Sequence, residues 1–315
     1  MRGFPSRIYV PNSNSDTVDV IDPARFKVID HFPVGGLPQH ITPSFDLKTL
    51  WVDNDHTNEL TPLDPATGRR GAPVPVTNPY NLYFTPDGQN AIVVAEALQR
   101  LDFRDPRTMK LKKSVAVPCA GVDHIDFSAD GAYLIASCEF ASKMIKVDLR
   151  RQQVSAALWL PVGSSPQDVK LSPDGRVFYV ADKGSGGVYL VDGERFRLAG
   201  FRRTGVGAHG LYVSRDSSDL YVTNRGAATV SVLSFQSRQV VRTWRIPGGG
   251  SPDMGGVSAD GTVLWLTGRY AAEVYAISTR TGALLARIPV GKGPHGLAVY
   301  PQPGRYSLGH TGVFR

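Results

Sequence analysis

Four of the seven histidines recur at a near-constant interval. His40, His124, His209 and His295 are separated by 84, 85 and 86 residues. Neutral imidazole is a ligand for zinc, copper, iron and nickel. An uncharged four-imidazole set with an open position favours copper or ferrous iron over magnesium or calcium. The histidines sit in the pairs Gln39-His40, Asp123-His124, His209-Gly210 and His295-Gly296, and the same local context recurs at Tyr80-Asn81, Gln167-Asp168 and Asp253-Met254. Metal-bound histidines usually donate their second nitrogen to a carboxylate or carbonyl. Asp123, Asp168 and Asp253 are therefore expected behind the metal ligands. Without a metal, the same acids beside imidazoles would act as general bases. Tyr80, Asn81 and Gln167 are polar groups able to bind a small ligand.

Chemistry spaced this way needs a repeating frame. The stretches "GLPQHITPSFD", "NPYNLYFTPDG", "GVDHIDFSADG", "SSPQDVKLSPDG", "GAHGLYVSRDS", "GSPDMGGVSADG" and "GPHGLAVYPQPG" align on Ser44, Thr85, Ser128, Ser172, Ser214, Ser258 and Tyr300. Their spacings are 41, 43, 44, 42, 44 and 42 residues. A period near 40–45 fits the four-stranded blade of a β-propeller. In each unit a short first strand, A, is followed by an Asp-Gly or similar turn, which suits positive-φ hairpin positions. A β-rich strand B comes next, as in "LWVDN", "FYVADK" and "LYVTNR". Strand C ends in Asp-Pro or an equivalent turn, and strand D leads to the next A. Alternation at period two supports strands throughout, and no segment has a helical period.

Seven A strands predict an all-β, seven-bladed β-propeller forming a single domain over 1–315. The N-terminus opens on a B strand, "RIYVPNS", and the last A strand, "HGLAVY", lacks partners. Joining the N-terminal strands to that last inner strand closes the ring and removes the exposed edge. "RYSLGHTGVFR" at 305–315 is then surplus, a further strand or a tail, and His310 in it is a candidate lid or extra ligand.

In such a ring the A strands start at the mouth of the axial channel. Neighbouring blades lie about 51° apart and alternate ones about 103°, so the four histidines would converge from nearly all sides. The nitrogens would have to come within about 2.0–2.2 Å of the ion. His40 and His124 sit one position later than His209 and His295, and adjacent strand residues point to opposite faces. Convergence therefore depends on how the two registers are oriented. The ends of the B strands add a rim of Asn54, Asp55, His56, Glu96, Glu139, Asp182, Lys183, Asn224, Arg225 and Arg269. Arg225 and Arg269 could clamp an anion.

Composition narrows the classes. The net charge is +7. A basic balance can mean nucleic acid or an anionic surface. The basic pairs Arg69-Arg70, Lys112-Lys113, Arg150-Arg151 and Arg202-Arg203 are dispersed, which reads as a solvated rim and not a nucleic-acid patch. No apolar run is long enough to span a membrane. "MRGFPSRIYV" has no signal-peptide core, so the chain is either cytoplasmic or shorn of a leader. There is no phosphate-binding loop, no G-x-S-x-G and no H-E-x-x-H. Trp51, Trp159, Trp244 and Trp265 fall on strands and are expected to pack between blades.

"LYVTNRGAATVSVL" and "GPHGLAVY" resemble the repeats of the YVTN-type β-propellers, which include surface-layer and secreted proteins. The resemblance covers nearly the whole chain and implies the propeller fold and an exported, periplasmic or extracellular, location. It transfers no catalytic motif, because this fold carries many unrelated activities. "PHG" is frequent in such repeats, so His209 and His295 can also be read as repeat residues. Carotenoid-cleaving oxygenases, which this sequence does not otherwise resemble, offer an analogy: an iron held by four histidines at a seven-bladed axis. Cys119 precedes strand A of one blade and Cys138 ends strand B of the same blade, opposite roughly residue 122. They are either a disulfide, in keeping with export, or two buried thiols.

Three functions follow as expectations. The first is a propeller that binds a metal, copper or iron, or a small ligand at the channel mouth, with redox chemistry if a metal is held. The second is a non-enzymatic secreted scaffold for protein or cell-wall partners on one ring face. The third is a lyase resembling the streptogramin B lyases, whose acid–base residues do not map onto this chain.

Overall fold

The computed structural model describes residues 5–301. The 305–315 segment with His310 lies outside the described residues. Seven four-stranded antiparallel sheets make a seven-bladed β-propeller. Among the described residues the only helical segments are two three-residue turns, Glu96–Leu98 and Glu139–Ala141. Ala298–Tyr300 pairs antiparallel with Arg7–Asn12, with Ile8 opposite Val299. The N-terminal strands and the last inner strand thus form blade 1, as expected. The inner strands of blades 2 to 7 are Pro38–Pro43, Asn81–Phe84, Val122–Phe127, Pro166–Leu171, Ala208–Val213 and Pro252–Val257.

The chain groups into two compact units, one of Met1–Leu82 and Trp244–Arg315, the other of Tyr83–Thr243. In the first unit, Tyr9, Val18, Ile41, Val52 and Leu63 form one buried cluster. Ile8, Val10, Trp265, Val274 and Val299 form another, and Phe26 packs on Trp265 at 5.8 Å. The second unit is filled in the same manner by Tyr179, Val188, Leu211, Val222 and Leu233 and by Ile135, Met144, Val169, Phe178 and Val191. Each such side chain contributes about 1.5–3 kcal/mol when fully buried. Trp159 departs from the expected packing. It lies exposed at the end of Gln153–Trp159, with the Lys143 ammonium 4.0 Å over its ring.

The anchor residues earn their regularity by hydrogen bonding. In six blades a Ser or Thr hydroxyl donates to the Asp two positions on, at 2.5–2.7 Å: Ser44 to Asp46, Thr85 to Asp87, Ser128 to Asp130, Ser172 to Asp174, Ser214 to Asp216 and Ser258 to Asp260. The same oxygens accept the N–H that opens or precedes strand B, as Ser128 does from Tyr133 at 3.0 Å. The turn is closed on both sides by one side chain. Cys119 and Cys138 form a disulfide with a Cα–Cα distance of 6.0 Å, and Cys138 pairs with Val122.

Candidate functional site

The residue pairs singled out by the sequence occupy one kind of place in five blades. Each inner strand is interrupted there by a β-bulge. In blade 2, Pro38 pairs with Asn54 and Ile41 with Val52, so Gln39 and His40 together oppose the single residue Asp53. The same step falls between Val122 and Ile125, Pro166 and Val169, Ala208 and Leu211, and Pro252 and Gly255. A bulge leaves backbone groups without their ladder partners and re-aims the side chains it carries.

Hydroxyls on strand B supply the missing partners. Ser137 Oγ accepts the His124 N–H at 3.0 Å and Thr223 Oγ1 accepts the Gly210 N–H at 2.7 Å. Thr267 Oγ1 donates to the Met254 carbonyl at 3.0 Å. Sequence reasoning passed over these residues. Their signal was a lone hydroxyl in an apolar strand next to its last residue, as in "ASC", "VTN" and "LTG". Asp53 holds this position in blade 2. It is fully buried, neither oxygen has a hydrogen-bond partner among the described residues, and burial, with Asp55 adding to it, pushes its carboxyl well above the usual range.

In the first unit the structure brings Asp253, His295, His40 and Tyr80 into one neighbourhood. Asp253 Oδ2 lies 3.7 Å from His295 Nε2, and both side chains are buried. The His40 ring is 4.6 Å from that of His295 and 5.6 Å, edge on, from Tyr80. His40 fits because its neighbour is glycine. A Cβ on Gly296 would stand 1.9 Å from His40 Nδ1. The two inner segments are also tied by backbone bonds, Ile41 N–H to the Gly296 carbonyl and Gly296 N–H to the Gln39 carbonyl, each 2.9 Å. Asn81 turns its amide oxygen onto the Leu82 N–H at 2.9 Å. Arg269 reaches Ser13 Oγ at 3.4 Å.

In the second unit His124 Nδ1 and Asp123 Oδ1 are 2.8 Å apart, with both side chains fully buried. A carboxylate this close to an imidazole favours its charged form. Burial opposes the charged imidazole, but Asp123 and then Asp168 outweigh it and hold the His124 pKa above its ordinary value. The His209 ring stands edge on to His124 at 6.2 Å. Asp168 has both oxygens engaged, by Val169 N–H at 2.9 Å and Leu211 N–H at 2.8 Å, the latter on the inner strand of the next blade. Burial raises its pKa against the pull of Lys170 and His124. Asp126 makes the same kind of bridge to Leu171 N–H, and Tyr83 Oη accepts the Ile125 N–H at 3.3 Å. Lys170 is itself buried among these acids. The sequence reading missed Lys170 and Tyr83, for a Lys or Tyr in an alternating strand reads as a solvent-facing residue. Gln167 bonds back to the Ser165 carbonyl at 3.1 Å, and Arg225 is half-buried at the end of its B strand.

Repeated bulged inner strands, stapled turns and blade closure can be set beside known proteins. A family model described as YNCE-like beta-propeller matches residues 3–304. The chain belongs to the YNCE-like β-propeller family. This agrees with the YVTN-type resemblance of its repeats. No curated protein matches the chain. Among solved structures, the Pseudomonas aeruginosa periplasmic gluconolactonase PpgL is similar at 21% identity and a TM-score of 0.77, covering 93% of this chain and 98% of that one. A functionally unknown protein from Desulfotomaculum acetoxidans aligns at 15% identity and a TM-score of 0.80, with the same coverages. The dihydro-heme d1 dehydrogenase NirN, solved in complex with DHE, aligns at 17% identity and 0.71, covering 93% and 75%. At these identities the likeness is one of fold.

Proposed function

We propose that this YNCE-like propeller binds a metal ion or a small polar ligand through the buried imidazole and carboxylate groups at the starts of its inner strands. The observation that carries the reading is the Asp253–His295 pair: a carboxylate and an imidazole, both buried, 3.7 Å apart. Both rank among the buried groups that offer ligand atoms for a cation, as does His209 in the second unit. A mixed nitrogen and oxygen donor set suits iron, copper or zinc. His40, its ring tilted against that of His295, is the further donor of the first unit. His124, backed by Asp123, is that of the second.

For a small ligand, Tyr80, Asn81, Gln167, Arg225 and Arg269 remain the proposed polar contacts. Of the three acids proposed as bases, Asp123 and Asp253 face imidazoles. Asp168 is engaged by two backbone N–H groups, which favours a stapling role for it. The Cys119–Cys138 disulfide supports an oxidising, exported location, since disulfides persist outside reducing compartments.

Elemental analysis of the untagged protein, grown and purified with metals supplied, tests the metal reading. Stoichiometric iron, copper or zinc that falls several-fold in His295→Ala and Asp253→Asn supports it. A wild-type protein free of transition metal, with unchanged thermal stability on adding each ion, removes it and leaves the small-ligand reading.

A further inference from the structure

One edge of blade 4 carries three of the most exposed large apolar residues of the second unit. Phe140, on the short turn Glu139–Ala141, is 68% exposed; Trp159 is 68% exposed; Val162, in the loop after it, is wholly exposed at 104%. Large apolar residues spent this way on one edge mark an interaction surface. They lie on neighbouring segments tied together by hydrogen bonds. Ser142, which follows the Phe140 turn, accepts the Leu160 N–H with its carbonyl and donates its hydroxyl to the Ser164 carbonyl at 2.6 Å. Lys143 pairs with Trp159 across the strands and donates to the Pro118 carbonyl at 3.0 Å. The Cys119–Cys138 disulfide pins the segment beneath, and Phe140 closes over Gly121, where a Cβ would meet its ring at 2.6 Å.

Charge identifies the occupant. The ammonium of Lys143 lies over the Trp159 indole, and Lys183 pairs with Glu139 on the Phe140 turn. The chain as a whole carries +7. Aromatic and aliphatic side chains projecting beside lysines are the composition of an interfacial membrane anchor, in which rings and methyls enter the headgroup boundary while cations meet anionic lipid. We propose that the Phe140–Trp159–Val162 tip docks the protein on an anionic lipid surface.

Tryptophan emission reads this directly. The other three tryptophans, Trp51, Trp244 and Trp265, are only 7%, 8% and 1% exposed, so a change of polarity on docking falls on Trp159. The probes are vesicles of equal parts phosphatidylcholine and phosphatidylglycerol, and of phosphatidylcholine alone. The expected result is co-sedimentation with the mixed vesicles and a blue shift of emission. Binding to phosphatidylcholine alone should be about tenfold weaker or less, since each surface cation contributes about 1 kcal/mol on anionic lipid. Val162→Asp, at a wholly exposed position, should lower the bound fraction about tenfold with an unchanged Tm, and Phe140→Asp should lower it as far. Trp159→Tyr should bind while losing the shift. Absence of binding to the mixed vesicles overturns the proposal and turns attention to a protein or glycan partner. Binding that salt abolishes but Val162→Asp leaves intact overturns it too, since charge alone would then suffice.

Discussion

Gly296→Ala is the sharpest probe of how the inner strands accommodate an imidazole in the later register. The new methyl would lie 1.9 Å from His40 Nδ1, 2.7 Å from Cγ and 2.9 Å from Cε1. Ordinary contact begins near 3.4 Å, so the ring must retreat by about 1.5 Å. It has little room, being fully buried and bounded by His295 and Tyr80. The backbone cannot yield easily either, with two 2.9 Å bonds joining Gln39 and Ile41 to Gly296. Overpacking a filled site costs about 1–3 kcal/mol, and this one should fall at about 2–3 kcal/mol. Urea titration at constant m gives the value. The companion experiment is a double-mutant cycle with His40→Ala, which removes the ring that the methyl strikes. The double mutant should be more stable than the sum of the single losses by about 2 kcal/mol. If Gly296→Ala stays within about 0.5 kcal/mol of wild type, or if the two costs simply add, His40 does not rest on Gly296.

Four further outcomes are expected. Asp53→Asn should stabilise the protein at about pH 8 and be near neutral at about pH 4. The sign follows from its raised pKa: the folded state keeps a proton that the unfolded chain releases, so wild-type stability declines as pH rises through that interval, and the amide removes the slope. The turn acids act in the opposite sense. Hydrogen bonds from Ser128 and Ala132 hold Asp130 below the usual range, and those from Ser214 and Ser218 do so for Asp216. Their contribution is present above an unfolded pKa of about 4 and lost as pH falls through the folded value, which acid titration of Ser128→Ala against wild type should show as a shallower loss. Reducing the disulfide, which closes a separation of 19 residues, should cost about 2–4 kcal/mol in a denaturant titration with and without dithiothreitol. Thr223→Val should cost about 1–3 kcal/mol by leaving the buried Gly210 N–H unsatisfied, whereas Thr223→Ser should restore most of it.

The repeat was legible because turn chemistry is local. At six anchors Ser-x-Asp or Thr-x-Asp and the alternating strand that follows are fixed by neighbours a few residues away, and with Tyr300 as the seventh anchor they gave seven blades and the closure of blade 1. Period and alternation also located Gln39-His40, Asp123-His124 and their counterparts on the inner strands. What the sequence did not show was the bulge. Strict alternation sends consecutive residues to opposite faces, and that rule made the His40 and His124 offset look like an obstacle. A bulge suspends the rule, and its evidence lay on the partner strand, in Ser137, Thr223 and Thr267. Asp168 was expected behind the metal ligands or as a base, and nothing in "PQDVKL" reveals that Leu211, more than forty residues on, takes its second oxygen. Trp159 was assigned to packing because strand periodicity does not tell an outer strand's end from its middle.

The bulge separates two duties that a plain strand would load on the same residues. Strand B hydroxyls hold the backbone in three blades, which frees the two bulged positions to carry almost any side chain. Gln-His, Asp-His, Gln-Asp, His-Gly and Asp-Met already occupy the same step within one chain. The positions form an interchangeable alphabet, subject to a spelling rule set by neighbours: a large ring such as His40 needs a glycine where Gly296 stands. A designer could write new pairs into the blades under that rule, grafting ligand sets without redrawing the scaffold.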